Sequence, residues 1–233
     1  MAEGPEFGLA AIGRASLRDG AYAALRDALL AGRFTPGQKL IIRTLAAAFA
    51  ISPTPVREAL GRLHAERVLD LLPSGSAVIP PATRAGIAEL AAVRAIVEGG
   101  AGELATPRMT TDDLNANQHY LGRLQMAQQR GDAAEFRSAQ RDFAFQLYAC
   151  TGNALLRDMI ETLWLRAAPA LSLLPPVALL RRAQAPVQQQ IHAALRRRDA
   201  AAVREAIARD IVATAQALAG LADSTGVIRP APG

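Results

Sequence analysis

The chain has 233 residues, enough for two modest domains with cores of their own. About half of it is apolar (51%) and only 4% is aromatic, with Ala and Leu dominant, a composition that favours helices over sheets. A net charge of +5, carried almost wholly by Arg, suits a nucleic-acid partner without requiring one; the single Cys150 excludes an intrachain disulfide, and no apolar run reaches the length of a membrane span, so a cytoplasmic protein with no membrane partner is expected.

Residues 1–13 read as a disordered leader outside the fold. Leu17, Tyr22, Leu25, Leu29 and Leu30 then recur at helical spacing, giving an amphipathic helix from Leu17 to Ala31 that Gly32 stops. Phe34-Thr35-Pro36-Gly37 is a turn signal, and Arg43 to Ala50 a short second helix with Leu45, Ala46 and Phe49 facing inward. After the tight Ile51-Ser52 connection, a third helix is expected from Pro55 to about Arg67. Pro suits a first helical position because the missing N–H has no partner there, and Ser52 and Thr54 are good capping types. Val56, Ala59, Leu60 and Leu63 form its buried face, which leaves Ser52, Thr54, Pro55 and Arg57 at the outer N-terminal edge. A recognition helix meets a DNA major groove in this way, with hydroxyls and amides toward phosphates and an Arg toward a guanine edge. Two apolar runs, Val68 to Leu72 and Ala77 to Ile79, flank Pro73-Ser74-Gly75-Ser76 and read as a hairpin. The expected fold is therefore mainly α: a winged helix-turn-helix over residues 14–79, a stiff linker at 80–83, and an all-α bundle of about six helices over 84–222.

Within that second domain the pattern predicts helices from Thr83 to Ala105, from Thr111 to Arg130, and then to Cys150 after the Gly131-Asp132 break. A fourth, containing Trp164, is ended or kinked by Pro169, Pro175 and Pro176. Two more follow, about Ala178 to Arg198 and Ala200 to Leu221. The Gly- and Pro-containing tail at 223–233 is expected to be disordered.

Several runs carry a family resemblance. PGQKL (Pro36 to Leu40), Leu45-Ala46 and SPTPVREAL (Ser52 to Leu60) resemble the winged-helix domain of the GntR superfamily of bacterial regulators. VRAIVEG (Val93 to Gly99), DFAFQLYACTGN (Asp142 to Asn153) and RRRDAAAVREAIARDI (Arg196 to Ile211) resemble the all-helical FCD domain of its FadR-like subfamily. The resemblance implies a homodimer that binds an operator in double-stranded DNA and is switched by a small-molecule effector, often a carboxylate. It places Arg43, Thr54 and Arg57 at positions that touch DNA, and Ser74, Gly75 and Ser76 at the wing tip. Pro53 stands where the family commonly has Arg, and the wing tip has no basic residue, so the hold on DNA is weaker there.

The resemblance also concerns a metal. In that subfamily an Asp and a His four residues apart, with two further His, commonly hold a divalent ion beside the effector; the matching positions here are Asp142, Gln146, Gln188 and Asp210. Two carboxylates and two amides suit a hard cation or direct hydrogen bonding to the effector better than a transition metal. His192, one turn beyond Gln188, could serve as a ligand with Asp142 and Asp210. Arg94 either clamps an effector carboxylate or pairs with Glu98 at i+4.

Blander readings apply elsewhere. Arg43 is explained equally well as a solvated helix residue. Asn153 reads as a cap, His64 and His119 as ordinary residues, Trp164 and Phe145 as core, Cys150 as a small hydrophobe, and the Arg run at 196–198 as a solvated helix end. Two other functions remain to be weighed: a ligand-binding module with weakened operator recognition, and an all-α enzyme using Asp142 and Asp210. No nucleophile–base set, phosphate loop or cofactor motif accompanies those two acids, so the chain is not expected to be an enzyme.

Overall fold

The computed structural model describes residues 15–73, 75–176 and 187–229. Helix α1 (Ala15–Leu30) buries Ala21, Tyr22, Leu25 and Leu29, the 3–4 spacing of one helical face. It gives way at Gly32, which takes the left-handed φ of 71° that a residue with a Cβ avoids. Strand β1 (Lys39–Leu40) leads into α2 (Ile42–Ala48), and the turn through Ala50 into α3 (Pro53–Ala65). The third helix thus begins two residues before the expected Pro55. Both Pro53 and Pro55 fall in its first turn, where backbone N–H groups have no intrahelical acceptor and proline costs nothing.

Val56, Ala59, Leu60 and Leu63 are fully buried, as their spacing predicts, against Leu25, Leu29, Leu69 and Ile79. The hairpin strands β2 (Asp70–Leu71) and β3 (Ala77–Val78) are antiparallel, with Leu71 opposite Ala77. The expected two-stranded hairpin is in fact a three-stranded sheet in the order β1-β3-β2, because Lys39–Leu40 also pairs with β3.

Residues 80–83 carry the chain to α4 (Arg84–Ala105), capped by the Thr83 hydroxyl, which accepts from the Gly86 N–H. After a 3-10 turn at Thr106–Arg108 come α5 (Thr111–Arg130), α6 (Ala133–Ala149), α7 (Ala154–Leu171), α8 (Val187–Arg196) and α9 (Ala200–Ala219). Thr110 and Asp113 form a reciprocal capping box at the start of α5, and Asp132, Asn153 and Asp199 cap α6, α7 and α9. Helix α9 runs along α4 so closely that a Cβ on Gly102 would lie 2.5 Å from Ile207 Cδ1. Pro169 lies inside α7, buried, and does not end it. The expected start of the next helix at Ala178 lies outside the described residues.

Two expectations about solvated segments are corrected. Residues 223–229 of the expected disordered tail are folded. One Asp223 carboxylate oxygen accepts from Thr225 N, Thr225 Oγ1 and Val227 N, folding the stretch into a turn. Ile228 is thereby buried, with its N–H on the Ala82 carbonyl, while Arg84 N–H reaches the Gly226 carbonyl. The C-terminal stretch is clasped onto the linker. Arg198 is not simply a solvated helix end either: its Nη1 donates to the carbonyls of Thr106 (3.0 Å) and Met109 (2.5 Å) and satisfies the turn after α4.

The two domains meet through α1 and α7. Leu165 of α7 belongs to the N-terminal core, and Arg26 of α1 pairs with Glu161 of α7.

Candidate DNA-reading helix and ligand pocket

The N-terminal edge of α3 stands in solvent. Ser52, Pro53, Thr54 and Arg57 are exposed, Pro55 is half-buried, and the Ser52 side chain makes no cap hydrogen bond, so its hydroxyl is available to an outside partner. Arg43, on α2, is exposed as well. The rear of α3 is held rigid. The Tyr22 hydroxyl donates to Glu66 just past the helix end, at 2.7 Å, and Arg62 stacks 3.8 Å from the Tyr22 ring centre. Burial and the Glu66 carboxylate push the Tyr22 phenol up to about 12, so it remains a donor. At the wing, Gly75 has a φ of 79° and its N–H donates to the Leu72 carbonyl. Gly75 and Ser76 flank that turn; Ser74 lies outside the described residues.

A cavity of about 120 Å³ lies between α4, α6, α7, α8 and α9, with Leu30 and Gly32 from the first domain also in its lining. On this measure it approaches the roughly 150 Å³ that accommodates a benzene-sized molecule. Its lining includes apolar Phe136, Phe143, Leu171 and Ile207 together with polar Arg137, Gln140, Arg141, Gln188 and Asp210. At its base Glu98, only 1% exposed, collects four hydrogen bonds. Arg94 Nε donates to Oε1 at 2.6 Å, while Arg94 Nη2 (3.3 Å), the Tyr148 hydroxyl (2.9 Å) and Trp164 Nε1 (2.9 Å) donate to Oε2. Burial, followed by the Glu98 charge, holds the Tyr148 phenol well above its ordinary value and keeps that donor protonated. Arg94 also packs over the Trp164 ring at 5.2 Å.

Residues 89–213, more than half of the chain, match the FCD domain, and residues 17–79 match the gntR family of bacterial regulatory proteins. The chain belongs to the GntR family. The HTH-type transcriptional regulator McbR of Escherichia coli (strain K12) is 35% identical over 147 residues, an alignment covering 63% of this chain and 66%, just under two thirds, of that relative. The solved structure of E. coli McbR matches at a TM-score of 0.81 and 30% identity, covering 87% of this chain and 97% of that one. A GntR transcriptional regulator from Rhodococcus sp. RHA1 shares the fold, with a TM-score of 0.73 at 21% identity over 88% of this chain and 99% of its own. These families and relatives are transcription regulators, and with them the enzyme reading falls.

Within this GntR regulator the expected effector and metal set is divided. Arg94, Gln188 and Asp210 line the cavity, whereas Asp142, Gln146 and His192 do not. The cause is the rotation of α6: Phe136, Gln140, Phe143, Ala144 and Leu147 share the face turned to the cavity, and residues 142 and 146 lie on another. Asp142 is held by Arg123 at 2.7 Å, which also takes Glu135. Gln146 and His192 join a separate buried chain of hydrogen bonds. Gln146 Nε2 donates to the Asp113 carbonyl, leaving Oε1 to accept from Asn117 Nδ2; Asn117 Oδ1 then accepts from His192 Nδ1, 2.9 Å away. Burial, followed by the neighbouring Arg196, lowers the His192 pKa and favours its neutral form.

The positions that the resemblance matched on α6, Asp142 and Gln146, thus do not line the cavity, while Gln140 and Ala144 of the same helix do. Arg94 forms the i+4 pair with Glu98 rather than an open clamp, and Arg137 and Arg141 are the cationic residues that the motif reading missed. The only signal for them was their i−3 and i+1 offset from Gln140 on the same helix. A transition metal does not fit this pocket: its donor set is amides, guanidiniums and carboxylates with no imidazole, and among the described residues no three His, Cys, Asp or Glu side chains converge. Burial and nearby Asp113 push the Cys150 thiol up to about 11, which keeps it an unreactive thiol. No helix among the described residues is long and apolar enough to cross a membrane.

Proposed function

We propose that this GntR regulator is a homodimeric repressor that binds an operator palindrome through α3 and the wing, and that a small carboxylate-bearing effector in the FCD cavity releases it. The observation that carries the DNA reading is the edge of α3, where Ser52, Thr54 and Arg57 face solvent above a fully buried opposite face. Hydroxyls at a helix N-terminus beside an Arg are suited to phosphates and to a guanine edge. Arg43 and the Gly75-Ser76 turn flank this edge as further contacts. Self-association is supported by an apolar row left exposed on α4 (Val93, Ile96 and Leu104), with Leu155 and Met159 exposed on neighbouring α7. For the effector, the guanidiniums of Arg137 and Arg141 supply the attraction for a carboxylate, and Gln140, Gln188 and Asp210 supply direct hydrogen bonding without a metal ion.

The test is fluorescence anisotropy with duplexes tiled across the region upstream of the gene. The expected result is one duplex bound at least ~1000-fold more tightly than random sequence at physiological salt, with affinity falling steeply as salt rises. Arg57→Ala should weaken that complex about 10-fold or more. Equal affinity for every duplex would refute operator recognition, and a monomer in sedimentation at the binding concentration would refute the dimer. A stoichiometric transition metal in elemental analysis would refute metal-free effector recognition.

A further inference from the structure

The cavity is not built by the FCD domain alone. Leu30 and Gly32, at the end of α1 in the winged domain, form part of its wall. A Cβ on Gly32 would lie 3.7 Å from Arg137 Nε and 3.5 Å from Ser172 Cβ, so the winged domain rests against the Arg137 guanidinium. That Nε is buried and has no hydrogen-bond partner among the described residues. A buried donor without an acceptor is a standing cost, which an acceptor atom placed in the cavity would remove.

Charge narrows the class of occupant. Arg94 and Glu98 neutralise each other, and Arg141 is paired with Asp142 at 3.8 Å, so among the described lining residues Arg137 is the cation that remains for an acidic group. Phe136, Phe143 and Leu171 of the same lining offer apolar surface to a body of about ring size.

We propose, resting on the effector reading above, that Arg137 anchors a small monocarboxylate with a ring-sized apolar body, and that the winged domain senses this ligand directly because the end of α1 shares the cavity wall. A carboxylate seated on Arg137 Nε lies beside the Gly32 backbone, where α1 turns away from the FCD domain. Helix α7 carries the same message by a second path. Its Trp164, Ala168 and Leu171 face the cavity, while Glu161 and Leu165 hold α1 through Arg26 and the N-terminal core. Ligand occupancy then favours whichever placement of α1 leaves room for the carboxylate, the differential affinity that a switch requires.

Benzoate, a ring bearing one carboxylate, is the probe, added to the full chain; cyclohexanol and inorganic phosphate are the comparisons. Trp164 is the sole tryptophan and lines the cavity, so its fluorescence reports binding. Benzoate should give a saturable change that neither comparison gives. Arg137→Gln should weaken benzoate about 10- to 100-fold, with Arg137→Lys recovering part of the loss. Amide exchange over residues 28–34 should slow when benzoate binds the wild type. Undiminished binding by a folded Arg137→Gln protein would overturn the anchor and leave the effector reading intact; Arg137→Lys carries the comparison if the Gln variant does not fold. Binding with no change in exchange at 28–34 would overturn the shared wall. Failure of benzoate to bind, or binding of phosphate in its place, would overturn the monocarboxylate class, whereas failure of operator binding in the anisotropy assay would leave this proposal untouched.

Discussion

Glu98 should be the most sensitive single position in the second domain. Its carboxylate is almost fully buried and is shared by Arg94, Tyr148 and Trp164. Replacing it with Gln keeps the shape and one acceptor oxygen but leaves the Arg94 guanidinium, 9% exposed, without its counter-charge. Breaking a buried pair from one side costs about 3–5 kcal/mol. With a urea dependence of about 1–3 kcal/mol per molar, the unfolding midpoint should fall by at least about 1 M. Removing both charges in Arg94→Met/Glu98→Leu should cost less than Glu98→Gln alone, because no uncompensated ion remains. Trp164 fluorescence follows the transition from inside the network. The exposed pair of Arg204 and Glu103, at 2.8 Å, is the control, and Arg204→Gln should shift stability by less than about 1 kcal/mol. If Glu98→Gln shifts the midpoint no further than that control, the network does not hold this domain together and the reasoning is wrong.

Other substitutions separate packing, polar and terminal contributions. Gly102→Ala forces a methyl to within 2.5 Å of Ile207 Cδ1 and 3.0 Å of Val203 Cγ1, and should destabilise by about 1–3 kcal/mol in urea melts. Gly122→Ala in α5 meets open space and should stabilise by about 0.5–1 kcal/mol; the same sign for both would refute the close-approach account. Because His192 titrates below 6.5 in the folded state, the unfolded chain takes up the proton first as pH falls. Stability should therefore drop from about pH 6.5 downward and level off below the folded pKa. Melts at pH 7 and 5.5 should differ in the wild type and differ less in His192→Gln; an equal difference would remove His192 as the source. Ile228→Ala should cost about 2–4 kcal/mol and speed amide exchange at Arg84, whereas a loss below about 0.5 kcal/mol would mean that the C-terminal clasp contributes nothing.

What could be read in advance depended on how local the cause was. The buried face of α3 and the limits of α5 follow from residue spacing and from the Thr and Gly that bound the helix, and both match. Strand β1 is two residues long and owes its existence to β3, forty residues away, so no window around Lys39 reveals it. Helix α6 carries apolar side chains at 143, 144, 145, 147 and 148, a broad arc rather than a narrow stripe, so its sequence does not say which part of it meets the cavity. Asp142 and Gln146 came from the motif match, which fixes positions along the helix and not the side of it that meets the cavity. The clasp at 223–229 was hidden by its Gly and Ser content. Its signals were the Asp223 turn and one Ile whose partners lie more than 140 residues earlier.

The two prolines that open α3 have a consequence for how readily operator preference can change. The first turn of a helix offers phosphates a set of unpaired amides, a grip that no substitution short of proline removes. Here Pro53 and Pro55 have already removed two of those amides. On the proposed reading of α3, the grip passes to the hydroxyls of Ser52 and Thr54 and to Arg57, groups that single base changes in the gene can alter one at a time. A regulator held this way can drift to a new operator without disturbing the helix that presents the contacts.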